Sequence, residues 1–204
     1  MTHYPIPAQT IRLENEVINS RFIATMGRAD TVEEAKAFIQ SIRAEMPDAT
    51  HHVYAFKIGY GGSVTEGMSD DGEPSGTSGP PILAVLRGAD LGDVVIVVTR
   101  YFGGTKLGTG GLVRAYGGAA KDALAALPTE LKIEKRCIGI SIAYSFYERL
   151  KLLLSHHHAT IDGEEFDAEV TIYATVPIDQ LAPLTDALRD LTAGQVEPIL
   201  LETE

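Results

Sequence analysis

Apolar and polar residues alternate in Ile11-Arg12-Leu13 and again over residues 20–24, a period of two that predicts a pair of strands turning around residues 16–19. The period then lengthens. Ala35, Phe38, Ile39 and Ile42 recur at helical spacing behind Glu33 and Glu34, with Asp30 or Thr31 as the cap and Pro47 beyond the end. Residues 52–58 return to strand character. Residues 69–81 are so rich in Gly, Pro, Ser, Thr and Asp that a loop is expected, leading to a short helix over 82–86. In 93–100 five aliphatic residues follow one another, Val94-Val95-Ile96-Val97-Val98, the mark of a strand buried on both faces. After the Gly103-Gly104 turn, residues 112–127 are helical and stop at Pro128.

From residue 131 the order restarts as strand (133–143), helix (146–155), two strands joined by a tight turn at Asp162-Gly163 with the second over 169–176, helix (179–191) and strand (196–201). This βαββαβ order predicts a ferredoxin-like unit. The fold class read from the chain is α+β in two domains, residues 1–130 and 131–204, a division that suits 204 residues.

Hydrophobic residues make up 45% of the chain and charged ones 22%, enough apolar surface for a core. No apolar run approaches the roughly 18 residues that span a bilayer, and residues 1–12 lack the layout of a signal peptide, so a cytoplasmic protein without membrane association is expected. The single cysteine, Cys137, fits a reducing compartment and reads as a buried, inert thiol. A net charge of -11 argues against broad, charge-driven adhesion to nucleic acid. That average hides a local inversion, because Arg100, Lys106, Arg114 and Lys121 occur between residues 99 and 121 with no acidic residue among them.

The same stretch, Arg100-Tyr101-Phe102-Gly103-Gly104-Thr105-Lys106-Leu107-Gly108-Thr109-Gly110-Gly111, leaves a buried strand and enters a helix. A helix N-terminus approached by glycines offers unpaired N–H groups and partial positive charge, the geometry that receives phosphate. It is not a P-loop, since Thr109 stands where the lysine belongs. The competing reading makes Gly104, Gly108, Gly111, Gly117 and Gly118 sites of close packing. Tyr101 and Phe102 beside Arg100 suggest a base-stacking platform, and a buried strand end explains Phe102 equally well.

A second constellation, Asp70, Asp71 and Glu73, sits among three glycines and several hydroxyls. Such oxygens suit Mg²⁺ or Ca²⁺, but the spacing fails the EF-hand pattern, and solvated turn chemistry is the plain alternative. No metal and no cofactor is expected. His51 and His52 are neighbours on a strand, so their rings face opposite ways and do not chelate one ion, and His156-His157-His158 reads as a helix C-terminus.

Taken together, Ser69-Asp70-Asp71-Gly72-Glu73-Pro74-Ser75-Gly76-Thr77, then Arg100-Tyr101-Phe102-Gly103-Gly104, then Leu107-Gly108-Thr109-Gly110-Gly111-Leu112-Val113-Arg114-Ala115-Tyr116 resemble the IMPACT family, and within it the bacterial YigZ type. Ser20-Arg21-Phe22, Ala35-Lys36 and His51-His52 extend the resemblance over nearly the whole chain. Val53 departs from the pattern, in which a cysteine often follows the histidine pair, so no thiol role is carried over. The resemblance implies an N-terminal domain with the fold of the second domain of a small-subunit ribosomal protein, found also in elongation factor G, and a ferredoxin-like C-terminal domain.

The expected function is a translation-linked, non-catalytic regulator that binds RNA or the ribosome, with Arg100, Lys106, Arg114 and Lys121 on phosphates, the backbone of Gly103, Gly104, Gly108, Gly110 and Gly111 around an anion, and Tyr101 stacking. Two other classes stand beside it. One is an enzyme acting on a small molecule or phosphate ester between the acidic and glycine-rich loops. The other is a protein-interaction module that docks a basic partner on the acidic C-terminal domain.

Overall fold

The aliphatic run at 94–98 lies at the centre of a five-stranded sheet in the computed structural model, which describes residues 3–201 and divides into two units, 3–132 and 133–201. The first unit runs β1 (His3–Pro7), β2 (Ile11–Val17), β3 (Ser20–Arg28), α1 (Val32–Glu45), β4 (His51–Tyr60), β5 (Ser63–Ser69), α2 (Gly79–Arg87), β6 (Val94–Tyr101), α3 (Gly108–Ala126) and β7 (Thr129–Ile133). Its main sheet has the order β2-β3-β6-β4-β5 with every neighbouring pair antiparallel.

Strand alternation sends Val94, Ile96 and Val98 to one face, where Ile82, Leu83 and Leu86 of α2 and Leu112, Ala115 and Tyr116 of α3 cover them. It sends Val95 and Val97 to the other face, against Ala35, Ile39 and Ile42 of α1. The strand is thus buried on both sides, as its unbroken aliphatic run predicts. Thr31 caps α1 by accepting from the Glu34 N–H. The hairpin between β2 and β3 closes on Ile18 and Asn19, both at positive φ.

Strands β1, β5 and β7 are absent from the pattern reading, and two helices start earlier than it places them. Strand β5 is mostly exposed and so carries little apolar periodicity. Helix α2 begins at Gly79, not residue 82, since Pro80 and Pro81 occupy its first turn, where a missing N–H costs nothing. Helix α3 begins four residues earlier than expected, at Gly108.

The second unit runs β8 (Lys135–Ile142), α4 (Tyr147–His156), β9 (Thr160–Phe166), β10 (Val170–Pro177), α5 (Ile178–Thr192) and β11 (Ile199–Leu200), with a short 3-10 turn before α4. The sheet order β11-β8-β10-β9 is that of a ferredoxin-like βαββαβ unit. Its core joins Ile138, Ile140 and Ile142 to Ile172, Ala174 and Val176 under Leu150, Leu154, Leu184 and Leu188. Asp162-Gly163 is not the turn. It lies within β9, where Tyr173 pairs with Gly163 and Ala174 with Ile161, so Asp162 is the extra residue of a bulge, and the chain reverses after Phe166. Cys137 is half-buried beside Thr175. Among the described residues, no helix is long and apolar enough to cross a membrane.

The connection from β5 to α2 is held by Asp70, whose carboxylate accepts from the N–H groups of Gly76 (2.8 Å), Ser78 (3.0 Å) and Gly79 (2.8 Å). Burial pushes this carboxyl up, but the three donors more than offset it and leave it below its ordinary value. Asp70 therefore caps α2 from a distance, since Ser78 makes no capping bond of its own. Asp70→Ala is expected to lower stability by about 1–3 kcal/mol in urea unfolding, with Asp70→Asn losing less. Because the folded value is depressed, the wild-type advantage is present above about pH 4 and fades as pH falls through the lower folded value.

Candidate functional site

Pairing register sets the site. Arg100 on β6 lies opposite Phe22 on β3 and opposite His51 on β4, so the three side chains form one row on the face covered by α2 and α3. His52 and Thr99 form the adjacent row on the α1 face, with His52 Nδ1 3.1 Å from Thr99 Oγ1. Burial holds the His52 imidazole below its ordinary value.

Arg100 is 5% exposed, with its guanidinium over the rings of Phe22 and Phe102, each 5.4 Å away. Nη1 donates to Glu73 Oε1 at 2.6 Å and Nη2 to Ser20 Oγ at 3.2 Å, while the buried Nε has no partner among the described residues. The same Glu73 oxygen accepts from Tyr116 of α3 at 2.7 Å and lies 3.9 Å from His51 Nε2. Burial, then the bond to Glu73, holds the Tyr116 phenol far above its ordinary value, so it remains a neutral donor. One carboxylate oxygen thus joins the sheet, the loop after β5 and α3.

Above this network opens a cleft of about 430 Å³, lined by Thr50, His51, Glu73, Pro74, Arg100, Phe102, Leu112 and the run Lys106-Leu107-Gly108-Thr109. The first turn of α3 faces it. Gly108 enters the helix at φ +70°, and no side chain caps the turn. Its leading N–H groups, the positive helix end and Lys106 converge on one space. The loop Asp70 to Gly79 and the loop after β6 therefore line the same cleft through Glu73 and Pro74 on one side and residues 106–109 on the other.

The residues singled out in the sequence are distributed differently from their expected grouping. Arg100 is almost fully buried at the edge of the cleft and paired with Glu73, so its charge is already matched within the fold. Tyr101 donates to Asp48 and carries Arg21 over its ring at 5.2 Å, which leaves Phe102, 45% exposed, as the open aromatic of the pair. Gly103 is a packing glycine, since a Cβ there would lie 1.8 Å from the Asn19 carbonyl oxygen. Gly104 and Gly108 face open space at positive φ, and Gly110 and Gly111 lie in the first turn of α3. Lys106 is in the cleft, whereas Arg114 and Lys121 line a groove between α2 and α3 with Pro81, Ala84 and Val113. In the acidic loop, Asp71 pairs with Arg43 and accepts from the His52 N–H at 2.6 Å, so with Asp70 on its own loop neither is a free metal ligand. Among the described residues, no three His, Cys, Asp or Glu side chains are grouped to hold a metal.

His51 and Tyr116 are the functional candidates that residue reading missed. His51 presents nothing special in sequence beyond a histidine on a strand, and its place beside Arg100 depends on β4–β6 register. Tyr116 follows Arg114 at an interval that alone marks it only as a core position.

A mixed sheet-and-helix unit with this cleft, followed by a ferredoxin-like unit, defines a two-domain α+β class, and comparison with known proteins gives it a family. Residues 18–124 match the Impact N-terminal domain, and residues 140–195 match a domain of unknown function (DUF1949). The chain belongs to the IMPACT family. It is 38% identical to the IMPACT family member YigZ of Escherichia coli (strain K12) over 203 residues, covering 99% of this chain and 100% of the relative. It is 34% identical to the IMPACT family member YvyE of Bacillus subtilis (strain 168) over 184 residues, 89% of this chain and 84% of the relative. A solved structure described as a hypothetical protein matches with a TM-score of 0.79 at 38% identity, covering 100% of both chains.

Buried and exposed cations make opposite predictions. Arg100→Ala strands the Glu73 carboxylate and should cost about 3–5 kcal/mol in chemical unfolding. Arg100→Lys should recover little of it, lacking the planar contact with two rings. Arg114, with no ion pair among the described residues, should change stability by under about 0.5 kcal/mol when replaced by alanine.

Proposed function

We propose that the N-terminal domain is a translation-linked, non-catalytic RNA-binding module that seats one nucleotide in the cleft, its phosphate on the first turn of α3 and Lys106, its base against Phe102. The observation that carries this reading is the convergence on one cleft of a helix N-terminus without a side-chain cap and a lysine without an ion pair, both among the described residues, with a half-exposed aromatic. The volume of about 430 Å³ falls within the roughly 300–1,000 Å³ of small-ligand pockets. Support for the link to translation is the resemblance of the domain to folds found in ribosomal proteins and elongation factors, a likeness of fold and not of site.

With Arg100 inside the fold, Lys106, Arg114 and Lys121 remain for phosphates. Three phosphates on a single strand give a slope of about -2 in log K against log salt, measured by filter binding. Phe102→Ala should weaken binding by about 1–3 kcal/mol with little change in that slope, because stacking is not ionic. An affinity that ignores both salt and Phe102 would remove the RNA assignment.

A further inference from the structure

Beyond the phosphate end, the floor of the cleft carries its own chemistry. His51 Nδ1 lies 2.8 Å from the Asp71 carbonyl oxygen, a group that only accepts, so Nδ1 carries the hydrogen. In the neutral ring Nε2 is then an acceptor. It lies 3.9 Å from Glu73 Oε1. That oxygen already receives Arg100 and Tyr116, whereas Glu73 Oε2 has no hydrogen-bond partner among the described residues although the side chain is only 4% exposed. Both side chains line the cleft. The floor therefore offers acceptors on two neighbouring side chains, His51 held by the Asp71 carbonyl and Glu73 by Arg100 and Tyr116, beside the unpartnered Arg100 Nε donor. Glu73 Oε2 is not one of the fully buried atoms left without a partner, so it is open to a ligand donor.

Two adjacent acceptors select a ligand edge with two adjacent donors. Among the four RNA bases only guanine presents one, in N1–H and N2–H₂. Adenine and cytosine each pair one donor with one acceptor on that edge, and uracil flanks its single N–H with carbonyls that would meet the carboxylate. We propose that the cleft is a guanine-reading subsite: His51 Nε2 and Glu73 Oε2 accept from the Watson–Crick edge, Phe102 packs on the ring, and the phosphate rests on the first turn of α3 and Lys106. This inference rests on the nucleotide-binding reading of the same cleft and adds base identity to it.

The test is equilibrium binding of GMP, IMP, AMP, CMP and UMP to the full chain by calorimetry. GMP should bind about 5- to 100-fold more tightly than AMP, CMP or UMP, with IMP intermediate because it keeps N1–H and lacks the amino group. His51→Leu should weaken GMP and leave AMP unchanged, with folding checked by thermal melting. Glu73 is left intact in this test because its removal would strand Arg100. Equal affinities for all five nucleotides would overturn the guanine assignment while leaving the phosphate-and-stacking reading in place. No binding of any nucleotide would overturn both, and a GMP preference that survives in His51→Leu would remove His51 from the site.

Discussion

The buried pair between Arg100 and Glu73 is the constraint on which the N-terminal domain turns. Arg100 lies near the end of the most buried strand of the sheet, and its guanidinium, packed over Phe22 and Phe102, is almost wholly removed from water. Taking such a charge out of water costs several kcal/mol unless a counter-charge meets it with good geometry. Glu73 supplies that counter-charge from a loop with little apolar surface to hold it in place. The loop is therefore fixed from both ends, by Asp70 on the amides before α2 and by Glu73 on the sheet, and α3 joins through the phenol of Tyr116. An ion pair of this kind is weak evidence for stability in itself, since an apolar replacement of equal volume often does as well. What it does fix is position: the β5–α2 loop and the start of α3 are held on opposite sides of one cleft.

That arrangement also explains the chemistry available there. Were Arg100 unpaired, the site would be a simple cation pocket for any anion. With its charge matched by Glu73, the remaining positive potential comes from α3 amides and Lys106 at one side, and the floor carries the His51 and Glu73 acceptors beside Arg100. A site with a donor end and an acceptor end suits a ligand that is itself two-ended. A nucleotide, anionic at the phosphate and donor-bearing on the base, has that character, and inorganic phosphate does not.

The architecture was largely legible in the sequence because it depends on periodicity. The unbroken aliphatic run of β6, the helical spacing of α1 and the βαββαβ order of the second unit each carry their own local signal. Asp162-Gly163 misled for a physical reason, since a bulge and a tight turn call on the same residue types and only the register of β9 against β10 separates them. The site was legible only in its loops. The sequence places Arg100, Lys106, Arg114 and Lys121 in one acid-free stretch, but a strand residue and three residues on or near a helix diverge in space: one goes into the core, one into the cleft and two onto the groove beside α2. Nor does spacing reveal that His51 shares a face with Arg100, which follows from strand pairing across 49 positions of chain.

The net charge of -11 and an anion-receiving cleft are compatible because they act over different distances. At physiological ionic strength, charges on the surface are largely screened beyond about 8 Å, so the overall balance governs long-range approach while the few groups around a bound phosphate govern its retention. Several acids of the first unit are also answered locally, Glu14 by Arg21, Glu45 by Arg12, Glu66 by Arg87, and Asp30 and Asp93 by Lys132. The single carboxylate lining the cleft is Glu73, itself paired with Arg100. A negatively charged ligand entering there meets helix amides and a lysine before any uncompensated acid. Under the proposed reading, an acidic outer surface disfavours nonspecific polyanion binding, and the shape and hydrogen-bond pattern of the cleft decide which anionic ligand is held there.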